Sequence, residues 1–80
     1  MKIPEEVLFD ISMEVYEKYN SRIAAMYDYL GEIYTMQDIE EMKALEEAYE
    51  KKLIQDYLDG KRKYSDGKIL AIRNYLKGEE

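Results

Sequence analysis

Cysteine, histidine and tryptophan are absent from this chain, and proline and phenylalanine occur once each. Without cysteine there is no disulfide framework, and nothing reports a redox compartment. Zinc, copper and haem sites draw their ligands from Cys and His, so no such cofactor is expected. The nucleophilic sets of cysteine proteases and Ser-His-Asp hydrolases are missing. No uncharged apolar run approaches the length of a membrane span. The N-terminal MKIPEEVLFDIS becomes acidic at Glu5 and Glu6, with no apolar stretch leading to a cleavage site. That argues against a secretory signal and makes the cytoplasm the expected location.

What is present is apolar material at regular spacing: 46% of 80 residues are hydrophobic, nine of them tyrosine, in a chain of net charge −6. This is a globular composition, and the length suits one domain spanning 1–80. Pro4 suits the first position of a helix, and Glu5 and Glu6 complement the dipole there. Leu8, Ile11, Val15, Tyr19, Ile23, Met26 and Leu30 then follow at three- and four-residue steps. The stripe passes through Asn20-Ser21, so it predicts one helix over 4–30, ended by Gly31. Thr35 and Asp38 make a short capping box, with Tyr34 and Ile39 as a hydrophobic staple. The stripe Ile39, Met42, Leu45, Tyr49, Leu53, Tyr57 predicts a second helix over 36–59, closed by Gly60. Ser65 as N-cap, with a Tyr64–Ile69 staple, opens a third over 66–77, although Gly67 weakens its first turn. Glu14→Lys18 and Glu47→Lys51 have the spacing of favourable helix pairs.

No period-two run bounded by turn residues occurs, so the fold class is all-α. At ~1.5 Å per residue the first two helices are about 40 and 36 Å long. The short connection near 32–34 makes them an antiparallel helical hairpin, with the third, C-terminal helix covering part of it. The first helix is apolar over a wide arc, which leaves room for a homodimer or a partner protein. On the helical wheel Arg22 and Glu46 both fall inside apolar arcs at matching levels of the hairpin. They are expected to meet as a partly buried pair that sets register, or else to offer Glu46 to a partner's arginine.

Charge is unevenly distributed. Residues 1–60 hold fifteen acids against six bases, whereas 61–80 hold six bases against three acids. The acids concentrate on the second helix, and tyrosines, frequent interface anchors, border the stripes. Tyr16 and Tyr27, eleven residues apart, should share one helix edge. These features predict a protein-binding surface of Tyr27, Glu40, Glu46, Glu47, Tyr49, Asp56 and Tyr57 for a larger partner protein with a basic, nucleic-acid-handling surface. Size, acidity and the lack of a catalytic set resemble small phage- or mobile-element-encoded inhibitors. The alternative is a dimeric DNA- or RNA-binding regulator that uses Lys61, Arg62, Lys63, Lys68 and Arg73. Those bases can equally quiet the end of the second helix or the acids of the same molecule. No enzyme is expected, because no carboxylate stands among pocket-forming residues. Asp56 and Asp59 make at most a weak Mg²⁺ or Ca²⁺ pair, and the EF-hand, phosphate-loop and dinucleotide motifs are absent.

Overall fold

The computed structural model describes residues 2–78. Its elements are α1 (Glu5–Val15), a π turn (Tyr16–Asn20), α2 (Ser21–Asp28), α3 (Met36–Leu58) and α4 (Asp66–Gly78). Among the described residues the only bridge of β type is the isolated Leu30–Tyr34 contact. The chain is therefore all-helical, with three rods: α1–π–α2, α3 and α4.

The predicted caps form. Thr35 Oγ1 accepts from the Asp38 amide (3.2 Å), and Asp38 Oδ2 accepts from the Thr35 amide (2.8 Å). Both orphan donors at this helix start are thereby satisfied. Gly60 ends α3 at φ 78°, while the Lys61 amide reaches the Asp56 carbonyl at 2.8 Å. The positive φ is why glycine stands there. Ser65 caps α4 by accepting from the Lys68 amide (3.1 Å). Pro4 stands one position earlier than predicted: it is the N-cap, and its carbonyl accepts from Val7 and Leu8. Gly31 lies two residues beyond the cap residue Tyr29, inside the turn at φ 88°.

The first rod is not one uniform α-helix. Its buried residues are Val7, Ile11, Val15, Ile23 and Met26. Val15 to Ile23 is a step of eight, and two α turns take 7.2 residues, so a regular helix would rotate Ile23 about 80° off the seam. The π turn accommodates one extra residue and returns Ile23 to the core side. The Tyr16–Tyr27 alignment is lost with it, and both rings are exposed. Leu8 and Leu30 of the predicted stripe are also exposed. Leu30 lies beyond the helix end. Leu8 lies about 160–200° around α1 from Glu6 and Asp10, the residues that face α4.

Contacts between the two long rods step backward along α3 as they step forward along the first rod. Glu14 and Tyr19 meet Tyr49, and Tyr27 meets Lys43. The core divides into two clusters. Val7, Ile11, Val15 and Leu53 form one; Ile23, Met26 and Ile39 form the other. On α3, Ile39 and Leu53 are fourteen residues apart, and the heptad position between them is Glu46, half-buried. Leu45 of the predicted stripe points outward and is 54% exposed. The expected Arg22–Glu46 pair does not form: neither side chain has an ion-pair partner among the described residues, and Arg22 is exposed. Glu46 follows the seam of α3, whereas Arg22 sits on the rim of a groove on one flank.

α4 lies against α1, and none of its residues is fully buried. The result is a thin molecule, 47 × 31 × 16 Å, with a radius of gyration of 15.6 Å. A compact chain of this length would have about 12 Å.

Three outcomes follow for stability. Deleting Asn20, an exposed residue of the π turn, leaves a seven-residue step that keeps Val15 and Ile23 about 20° apart. This variant should retain cooperative unfolding and helical circular dichroism. Deleting exposed Ala48 rotates Ile39 about 100° against Leu53 and should abolish both. Glu46→Leu fills the gap in the seam and should raise stability by about 1 kcal/mol, read as a higher urea midpoint at unchanged slope.

Candidate functional site

Three charged side chains from distant positions meet where the α3–α4 connection crosses α1. Gly60 turns the chain after α3, so that Arg62, two residues on, points back at the helix. Asp10 and Glu14 are four apart on α1 and so present their carboxylates on one flank. Arg62 Nη2 lies 2.9 Å from Glu14 Oε1 and 3.1 Å from Asp10 Oδ2, and its side chain is 19% exposed. Arg62 Nε donates to the Tyr64 hydroxyl at 2.8 Å, and that hydroxyl donates to Asp10 at 2.8 Å. The Tyr49 hydroxyl donates to Glu14 at 3.0 Å. Lys68 completes the arrangement, 3.6 Å from Asp10 and above the Tyr64 ring. One guanidinium fork thus joins two carboxylates and a phenol.

The electrostatics follow from these partners. Burial raises the Asp10 pKa, but Tyr64, Lys68 and Arg62 outweigh it and hold the carboxyl below its ordinary value. The Arg62 hydrogen bond holds Glu14 below its own ordinary value, against burial and with help from Tyr49. Burial disfavours the Arg62 charge, yet the bonds to Glu14 and Tyr64 prevail and raise its pKa. Tyr49 is raised because its proton is held by Glu14, and Tyr64 because it is partly buried and donates to Asp10. These shifts strengthen the charges already present near neutral pH. None poises a group for proton transfer.

The residues singled out by sequence are dispersed. Glu40 and Glu47 are exposed, without an ion pair or side-chain hydrogen bond among the described residues. Tyr27 is exposed, and its hydroxyl lies 2.9 Å from Lys43 Nζ. That bond, together with Glu40 and Glu46, raises the Lys43 pKa. Tyr49 and Tyr57 are half-buried, turned toward Tyr19 and Tyr64 respectively. Asp56 pairs with Lys52 at 3.0 Å, and Asp59 accepts from Gln55 at 2.8 Å, so their carboxylates do not converge. Among the basic residues, Arg62 and Lys68 are held by Asp10 and Glu14, and Arg73 lies 3.7 Å from Glu6. Lys61 and Lys63 are exposed.

Neither predicted helix pair, Glu14–Lys18 nor Glu47–Lys51, lies within ion-pair distance. The π turn carries Lys18 away from Glu14, and its ammonium sits 4.2 Å from the centre of the Tyr49 ring. Asp10, Glu14 and Tyr64 were not among the sequence candidates. The usable signals were the four-residue spacing of the two acids on the first helix and the proximity of Arg62 to a helix-ending glycine. Comparison of this chain with protein-family models, curated proteins and solved structures gives no match.

The clasp predicts a specific acid response. Asp10 and Glu14 have depressed pKa values in the folded chain. Their contribution is therefore present above the unfolded carboxyl range near ~4, and is lost as pH falls through the folded values. Melting temperature should fall steeply below about pH 4 in the wild type and less steeply in Arg62→Met. At pH 7 that variant should lose about 1–3 kcal/mol, read by urea unfolding.

Proposed function

We propose that this chain is a small, non-enzymatic, acidic protein-binding module, acting as an inhibitor or adaptor on a larger protein with a basic surface. In this reading the two long helices form an antiparallel hairpin, the short third helix braces one end, and the outer side of α3 carries the recognition surface. One observation supports it above the others: three of the five bases of the C-terminal patch are committed within the molecule, while Glu40 and Glu47 of α3 form no ion pair among the described residues. Arg62, Lys68 and Arg73 all face acids of α1. Glu40 and Glu47, seven apart and so on one face of α3, form no ion pair among the described residues, although Glu40 lies close enough to Lys43 to raise its pKa. Spaced carboxylates on a rigid helix can compete for a surface built for phosphates. Tyr27 borders this face through Lys43, whereas Tyr49 and Tyr57 serve the interior more than a partner.

Of its five bases the nucleic-acid alternative is left with Lys61 and Lys63 exposed and without an ion pair among the described residues, a small electrostatic footprint on a chain of net charge −6. Affinity capture from lysate of the native host, with and without nuclease, separates the two readings. Nuclease-resistant capture of a defined protein is expected, weakening with salt. The purified pair should bind at least tenfold more weakly when Glu40→Lys and Glu47→Lys are combined. Nuclease-sensitive capture, or binding indifferent to that double reversal, overturns the acidic-face reading.

A further inference from the structure

The flank between α2 and α3 bears an open groove of about 350 Å³ lined by Arg22, Ala25, Met26, Tyr34 and Met42. Leu45, 54% exposed, stands one turn from Met42 and extends the apolar strip. We propose that this groove is the seat of a second copy of the chain, paired face to face about a two-fold axis parallel to the rods.

Two independent observations point to that occupant. The first is area. The chain exposes 6098 Å², whereas a compact monomer of 9.6 kDa exposes about 5,100 Å². The excess of about 1,000 Å² is spread over the whole elongated chain and is large enough to supply the roughly 800 Å² that each partner contributes to a standard interface. Large apolar side chains, Leu45 and Met36 among them, form part of the exposed surface.

The second is charge. Arg22 is exposed at the groove, with no carboxylate of the described residues within ion-pair distance. Arg22 and Met42 line the same groove and therefore stand at one level of the molecule. A two-fold axis along the rods lays α2 of one copy over α3 of the other at that same level. Arg22 then meets Glu41 of the partner subunit, the residue next to Met42, and symmetry supplies the contact twice. Glu41 is exposed, accepts from Gln37 Nε2 at 3.4 Å, and forms no ion pair among the described residues. Glu40 lies about 100° further around α3, so the acidic face assigned to a foreign partner stays open in the dimer.

Sedimentation equilibrium of the full chain tests this. The expected mass is twice 9.6 kDa at 100 µM protein and low salt. Arg22→Glu and Glu41→Arg should each weaken association at least tenfold with unchanged circular dichroism. Combining them should restore the dimer by exchanging the charges. A monomeric wild type at 100 µM overturns the proposal, as does a dimer that Arg22→Glu leaves intact or a double exchange that fails to restore it. The Glu40→Lys, Glu47→Lys variant should remain dimeric. Failure of the acidic-face reading and failure of this one therefore appear in different measurements.

Discussion

The guanidinium of Arg62 is the interaction on which the arrangement of the C-terminal third depends. α4 has no fully buried residue and rests on one neighbour, α1. Apolar burial alone gives such a helix little to hold it, and a segment of this length is marginal in water by itself. Its position follows from the crossing point before it, where Arg62 is tied to Asp10 and Glu14 and Tyr64 closes the ring of hydrogen bonds. Because the site is only partly buried, both carboxylates keep some hydration, and the bonds from Arg62, Tyr64 and Tyr49 outweigh the desolvation cost. A fully enclosed ion pair would lose much of its gain to that cost. Ile69 then packs against the core formed by Val7, Ile11, Val15 and Leu53, and the Phe9–Tyr75 contact extends the docking along α1.

Helix ends were readable in the residues because capping is local chemistry. Thr35 with Asp38, Gly60 and Ser65 each act within three or four positions of themselves. The boundaries they predicted, 36–59 and 66–77, differ by one residue at the C-terminal ends from Met36–Leu58 and Asp66–Gly78. The π turn was not readable. Three- and four-residue steps tolerate drift, and the stripe through Tyr19 continues whether or not the helix widens there. That widening removed the Glu14–Lys18 pair and the Tyr16–Tyr27 edge. Arg62 was visible as one of several bases, but its partners lie 48 and 52 positions away. No local pattern distinguishes a base that folds back from one that stays in solvent.

The candidate recognition surface has the same division. Free acids on the outer side of α3 could be read from spacing, because a helix turns its faces by a fixed angle per residue. The inward turn of Tyr49 and Tyr57 could not, since a tyrosine at the border of a stripe serves either side. Tyr49 is drawn in by the Glu14 carboxylate and by the ring of Tyr19. Tyr57 is drawn in by the edge of Tyr64. Partner choices made across the fold decide which aromatic rings remain outward.

The interruption of the core at Glu46 has a dynamic consequence. With apolar packing in two islands, the half holding Ile23, Met26 and Ile39 is not obliged to come apart together with the half that the Arg62 clasp secures. The tip around Gly31 can then open at lower energy than the clasped part of the core, so its backbone amides would trade hydrogen for deuterium sooner than those around Ile11 and Leu53. A small protein assembled this way keeps one end firm while the other retains freedom to adjust to whatever it touches.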